Sequence, residues 1–463
     1  MKKLISMALA ILLVCLSATG LASTSGNTVS SEAATVATKD DLTLKSDEKV
    51  KITFWSWEAS SLESAAIQEG LNRFMQEYPN IEVEYMVVPS DQYHAKLKTA
   101  MASNDAPDLF YLDTAYTRDF VSAGLLYDLT DVLGEFVDLD DVVPSSKSKM
   151  TIYDENGEPH LYGMDVVQVG PTIFYNKDLF DAAGVEYIPT TEEDRWTWDE
   201  FVENMKKLTK VENGKTVQYG TCNWEEKINL YVLEYSLRLN GAKWFNDDYT
   251  QAVGVTSEET KSVFERIKAL RTQWGVAPDP NTVGSESGNS PTQMFLTGQV
   301  ATIAIGSYAL QEIAASGIRY GAGLFPKFDE DMETDPFIAS GDMKAIWSGT
   351  EHLAEALTLM SYMVDVDFAR PVERTGLWMP SRISEYEDEN LDYWLNLDIY
   401  PDGWENMMYK WRDAQGRWFD QLWNTNKIYD AINEECEAYY YLDQDLDVTL
   451  ENIQNRINDA LKQ

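Results

Sequence analysis

KITFWSWE, residues 51–58, opens the stretch whose reading decides the fold. Ile52-Thr53-Phe54-Trp55-Ser56-Trp57-Glu58 reads as a short strand running out into polar residues. Behind it, Ile67, Leu71, Phe74, Met75 and Tyr78 recur at a spacing near 3.6, the period of a helix with one buried face, and Tyr78-Pro79-Asn80 stops that helix. Ile81-Glu82-Val83-Glu84-Tyr85 alternates apolar and polar as a strand does, and 93–102 is a second helical segment. Asp108-Leu109-Phe110-Tyr111-Leu112-Asp113 is then a compact apolar strand with a carboxylate at its exit. Strand, helix, strand, helix, strand predicts an α/β fold on a mainly parallel sheet flanked by helices, and such sheets bind ligands where their strands end.

Further motifs follow in order. They are NDAPDLFYLD at 104–113, SAGLLYDLTDVL at 122–133, YGMD at 162–165 and FYNKDLF at 174–180. Thr197 with Glu200 three residues later forms a capping box that starts a helix with Phe201, Met205 and Leu208 on one face. FLTGQVA at 295–301 leads to Gly306-Ser307-Tyr308, and FIASGDM at 337–343 precedes TGLWMPSR at 375–382. Each motif alone is soft, but their succession resembles the extracellular solute-binding proteins of ABC sugar importers, over about residues 50–463. That resemblance implies a two-lobed, periplasmic-binding-protein-like fold of type II, with a ligand cleft between the lobes. Lobe 1 would be 50–166 plus 343–387 and lobe 2 would be 167–342 plus 388–463, with crossings near 166–168, 341–343 and 385–388. It further implies a monomer that captures a carbohydrate by lobe closure and delivers it to a membrane permease, with neither catalysis nor a cofactor.

Residues 1–22 carry Lys2 and Lys3, a short apolar run from Leu4 to Leu16, and small residues around Gly20 and Ala22. This is the pattern of a secretory signal, cleaved between Ala18 and Ser23, and the run is shorter than the ~20 residues a membrane span needs. The protein is therefore expected outside the cytoplasm. Cys15 raises the question of a lipid anchor, but Val14 stands where a lipoprotein signal wants a small residue, so Cys15 reads as part of the apolar run. The Ser-, Thr- and Ala-rich stretch 23–49 reads as a flexible tether. A formal net charge of -40 would repel nucleic acid and anionic lipid, which excludes both as partners. Cys222 and Cys436 either pair or remain buried thiols. His94, His160 and His352 are too scattered for a metal cluster. Asp443-x-Asp445-x-Asp447 lacks the glycine and the bidentate glutamate of a calcium loop and reads as a solvated acidic turn.

A pyranose presents C–H faces that stack on aromatic rings and hydroxyls that seek carboxylates and amides. The chain holds 14 Trp and 25 Tyr, more than packing alone requires. Strand exits supply Trp57 and Glu58, then Asp91 and Gln92, then Asp113, Thr114 and Tyr116 as ligand-facing candidates. Asp91 reads equally well as a helix cap, and Trp57 shares its sheet face with Trp55 and would equally serve a core. Gln168 lies near the lobe crossing. The resemblance adds Trp224 and Glu225 as an aromatic-acid pair in a loop, Tyr308 after a second-lobe strand, Asp342, Trp378 and Arg382 along the return, and Trp423 from the C-terminal helices. Two rival functions remain. A secreted glycoside hydrolase would need a carboxylate pair at ~5–5.5 Å or ~6.5–9.5 Å, and no such pairing is legible. A binder of a non-sugar solute, such as a polyamine or ferric ion, would share the architecture, with Tyr439-Tyr440-Tyr441 as the only tyrosine run on offer for iron.

Overall fold

The computed structural model describes residues 35–462 apart from 45–47, 155, 166, 226–229, 280–281, 283–289, 330, 333–334 and 397. The signal segment, Cys15 and the first part of the tether lie outside the described residues. Within the described part of the tether, 35–42 is built into the fold. Thr35–Val36 pairs in parallel with Tyr127–Asp128, Ala37 is wholly buried, and Lys39–Leu42 forms a 3-10 turn closed by reciprocal Thr38 and Asp41 hydrogen bonds. Six to eight residues carry too little periodicity to betray this; the pairing depends on an edge more than eighty positions away.

Strand β1 (Val50–Glu58) pairs in parallel with β2 (Ile81–Pro89) along its whole length and with β3 (Leu109–Asp113) at Phe54 and Trp55. The helices Ser61–Glu77 and Ser90–Ala102 make the two crossovers, as the periodicity predicts. After β4 (Met164–Asp165) the chain enters a second sheet, built from β5 (Pro171–Asn176), β6 (Lys210–Glu212), β7 (Lys215–Cys222), β8 (Val300–Gly306) and β9 (Tyr320–Gly323). It returns as β10 (Asp342–Ile346). The strand orders are β2-β1-β3-β10-β4 and β6-β7-β8-β5-β9.

Both sheets are mixed rather than mainly parallel. β10 runs antiparallel to β3 and β4, and in the second sheet only β7 and β8 are parallel. A parallel neighbour requires a crossover that carries the chain back to the same end. β10 arrives directly from the other sheet, and β6–β7 is a hairpin, so neither has one. Each sheet owns a core. Ile52, Phe54, Ile67, Leu71, Phe74 and Phe110 pack around the first, and Phe174, Phe201, Phe264, Ile303, Trp244 and Trp404 around the second. The C-terminal helices Thr425–Tyr441 and Leu446–Leu461 join the second core through Ile428, Ile432, Ile453 and Ile457.

Three backbone passes connect the sheets. Gln168 pairs with Met379, Val167 with Pro380, and Val169 with Ser340. Their junction is held by a buried ion pair, Lys149 Nζ to Asp165 Oδ2 at 2.6 Å, with neither side chain exposed. The Ser146 hydroxyl also donates to the Asp165 carboxylate, and Ser381 Oγ donates to the Asp165 carbonyl at 3.1 Å. Gly341 is required here because a Cβ would lie 1.8 Å from the Val167 carbonyl oxygen. Cys222 and Cys436 are both buried and unbridged. Asp445 caps the last helix by accepting from the Val448 N–H, so the acidic triplet is partly helix-start chemistry.

Candidate functional site

A cleft of about 820 Å³ opens between the two sheets, at the exits of β1, β3 and β8. Trp57 and Glu58 reach it from the end of β1, Asp113 and Tyr116 from the end of β3, and Tyr308 from the turn Ser307–Ala309 after β8. Asp342 enters from the start of β10 and Trp378 from the return segment. These seven are the expected residues that the structure brings together.

Trp57 is half-buried, its ring edge-on to Tyr93 and Tyr111 at centroid distances of 5.3 Å for each. The ring is thus held by the first core while its remaining surface faces the cleft, which reconciles the core and ligand readings. Trp378 is buried to 6 % exposure, and its Nε1–H donates to Glu63 Oε1 at 2.8 Å. Tyr116 stacks on His94 at 4.0 Å, and burial pushes the His94 imidazole below its ordinary pKa. Tyr308, 41 % exposed, stands on the opposite wall.

Asp113 has a structural task as well: its Oδ1 accepts from Ala115 N at 2.8 Å and caps the helix Thr114–Ser122. Asp342 stands opposite Asp113 in the antiparallel register of β10 and β3, so both side chains leave the same face of the sheet. Burial and then the neighbouring Asp113 charge drive the Asp342 carboxyl well above the usual carboxylate range, against the pull of Lys149.

Eight expected residues lie elsewhere. Asp91 and Gln92 are exposed in the first turn of their helix, and neither is its cap, which is Pro89. The Thr114 hydroxyl is buried and donates to Asp420 Oδ1 at 2.9 Å. Gln168 is fully buried at the crossing, where its amide donates to the Pro380 carbonyl at 2.6 Å and accepts from Ser145 Oγ, also at 2.6 Å. Trp224 belongs to the second core, against Trp198, Phe201 and Phe325, with its Nε1–H on Thr221 Oγ1 at 2.7 Å. Glu225 pairs with Arg271 Nε at 3.0 Å, and burial still raises its carboxyl to about 7. The Arg382 guanidinium donates to the Val364 carbonyl, and its backbone bridges to Val142. Trp423 packs against the first core beneath the Arg118 guanidinium, 5.5 Å from its ring centroid. For Thr114, Gln168, Glu225, Arg382 and Trp423 a partner distant in sequence holds the side chain away from the cleft, whereas Asp91 and Gln92 face solvent.

Sequence reasoning missed His94, Tyr231, Gln311, Asn426 and Tyr429, which line the cleft from helices rather than strand exits. It missed Ser60, Ser61 and Leu62 as well, although their place directly after β1, at the start of the next helix, was a signal for them. Tyr439 and Tyr440 pack in the second core around Phe264, so the tyrosine run does not face the cleft. Among the described residues, no group of three or more His, Cys, Asp or Glu is arranged to hold a metal.

Known proteins resemble this chain in sequence, and solved structures resemble it in fold. The arabinooligosaccharide-binding protein of Bacillus subtilis is 31 % identical over 169 residues, 35 % of this chain and 36 % of the relative. The sn-glycerol-3-phosphate-binding periplasmic protein of Brucella abortus is 23 % identical over 417 residues, 86 % of this chain and 91 % of the relative. Among solved structures, an ABC substrate-binding protein from Listeria monocytogenes in complex with cycloalternan superposes with a TM-score of 0.75 at 23 % identity, covering 89 % of this chain and 99 % of that one. The family model for the bacterial extracellular solute-binding protein matches residues 58–367, from the exit of β1 through β10 and beyond, and the chain belongs to that family.

Proposed function

We propose that the protein is the substrate-binding component of an ABC transporter, that its ligand is a carbohydrate of oligosaccharide size, and that it works by capture and delivery without catalysis. The observation that carries this reading is the composition of the cleft: the aromatic rings of Trp57, Tyr116, Tyr308 and Trp378 stand with the carboxylates of Glu58, Asp113 and Asp342 around about 820 Å³. Sugar C–H faces stack on the rings, and hydroxyls donate to the carboxylates. A ligand touching both walls favours the closed arrangement by its differential contacts, and the closed form docks on a membrane permease. In this reading lobe 1 comprises 50–166 and 343–387, lobe 2 comprises 167–342 and 388–463, the chain acts as a monomer, and residues 1–22 direct export.

The test is a thermal-shift screen of the chain from residue 23 onward against mono- and oligosaccharides, polyamines and ferric citrate. A ligand at a hundred times its dissociation constant adds ~2.7 kcal/mol. A selective upward shift with the saccharide recovered intact supports the reading. Saccharide consumed during the assay points to hydrolysis, and a shift only with polyamine or iron removes the carbohydrate while keeping the fold.

A further inference from the structure

The charge lining the cleft is one-sided. Glu58, Asp113, Glu312 and Asp342 all face it, and among the described lining residues there is no lysine or arginine. His94, the basic ring in that lining, is stacked on Tyr116 and held toward its neutral form by burial. Cations close by lie outside the lining: Lys98 over the Tyr116 ring at 4.6 Å, Lys149 closed on Asp165, Arg417 over the Tyr231 ring at 4.1 Å and paired with Glu234, and the buried Lys344 over the Tyr111 ring at 5.0 Å.

Two of the four carboxylates oppose each other across the β3–β10 ladder, Asp113 facing Asp342. Like charges directly opposite in a sheet repel, and here burial and the Asp113 charge relieve that repulsion by driving the Asp342 carboxyl well above the usual carboxylate range, so the pair retains the Asp113 charge beside a carboxyl that holds its proton. A sheet end that keeps such a pair at the wall of a cavity suits a ligand that brings hydrogen-bond donors and no negative charge. Hydroxyl and ammonium groups donate to the oxygens of both side chains, whereas a carboxylate or phosphate would meet the charges of Asp113, Glu58 and Glu312 with no lysine or arginine among the described lining residues to pair with.

Building on the carbohydrate reading above, we propose that Asp113 and Asp342 are specificity-determining residues that admit uncharged or ammonium-bearing saccharides and turn away sugars and polyols bearing carboxylate or phosphate. The geometry assigns this selection to a cross-strand pair rather than to a clash of shape.

Isothermal titration of the wild-type chain tests it with maltotriose, arabinotriose and N,N′-diacetylchitobiose against digalacturonate, glucose 6-phosphate and sn-glycerol 3-phosphate. The expected result is that a neutral saccharide binds and every anion binds weaker than it by about 30-fold or more. Any anion binding within that factor overturns the proposal. The isosteric Asp113→Asn/Asp342→Asn double variant is expected to raise anion affinity by about tenfold. A double variant that melts like wild type and shows no such gain also overturns it, and if that variant does not fold, the wild-type comparison decides. If no saccharide, neutral or charged, binds the wild type, the carbohydrate reading itself fails, an outcome distinct from binding without charge discrimination.

Discussion

Trp378 gives its indole N–H to Glu63, Nε1 to Oε1 at 2.8 Å, with the tryptophan 6 % and the glutamate 1 % exposed. The donor is directed into the first core, so Trp378 offers the cleft only its ring. Glu63 sits one turn into the helix Ser61–Glu77, whose Ser60 cap accepts from the Glu63 N–H, so that helix start both lines the cleft and aims one of its aromatic walls. Glu63→Ala is expected to leave a buried donor unpaired at a cost of about 1–3 kcal/mol in urea unfolding, and to weaken saccharide binding. Glu63→Gln keeps an acceptor oxygen and should restore most of both. Equal losses in the two variants would show that the hydrogen bond does not set the pose of Trp378.

Burial raises the Glu63 carboxyl to about 7 and the Glu373 carboxyl, beside Glu385, to about 8, from an ordinary value of 4.5. Across that window the folded chain holds protons that the unfolded chain has released. The stability contributed by these two groups is therefore full below about 4.5, falls as pH rises, and is lost above about 8. Glu373→Gln is expected to match wild type near pH 4.5 and to exceed it at pH 8.5 by an amount of order 3 kcal/mol, read from urea midpoints at the two pH values. A variant less stable than wild type at both would contradict the assignment.

Asp420 holds the C-terminal part of the chain to the first sheet. Its carboxylate accepts from Thr114 Oγ1 at 2.9 Å and Ser340 Oγ at 3.1 Å, while Arg118 Nη2 donates to Gln421 Oε1 at 3.1 Å and Gln421 Nε2 donates to Ser148 Oγ at 2.7 Å. Asp420→Ala is expected to destabilise by about 1–3 kcal/mol through the hydroxyls left buried and unpaired. Amide hydrogen exchange in 417–424 should speed up selectively. Unchanged exchange there would mean the segment is held by packing instead.

Gly341 and Gly134 make a matched pair of substitutions. A Cβ on Gly341 would lie 1.8 Å from the Val167 carbonyl oxygen and 2.9 Å from Lys149 Nζ, whereas one on Gly134 meets only Leu139 Cδ1 at 3.9 Å. Gly341→Ala is expected to cost more than about 3 kcal/mol or to prevent folding, and Gly134→Ala to stay within about 0.5 kcal/mol, by thermal melting. A well-folded Gly341→Ala chain would refute the close approach at the crossing.

Local pattern by itself determined a good deal of this protein. The alternation at the start of β2 and the period of the helix Ser61–Glu77 are properties of a few consecutive residues, as is the Thr197–Glu200 capping box, which forms as read. Strand exits likewise pointed to Trp57, Glu58, Asp113 and Tyr116, which line the cleft, because where a strand ends is written in its own residues, while Tyr308, Asp342 and Trp378 came from the family resemblance. Which way a side chain turns after that exit is decided by its neighbours in space. Thr114 follows Asp113 directly, yet it points to Asp420, 306 positions away, and Gln168 is taken by Pro380, 212 positions away. Trp224 has the chemistry of a sugar platform and is claimed by the second core. Tyr231 and Tyr429 reach the cleft only because two helices pack there, and the antiparallel sense of β10 exists only because the chain comes home from a second sheet. Periodicity along a chain reports one face of one element; the tertiary structure alone decides what that face meets.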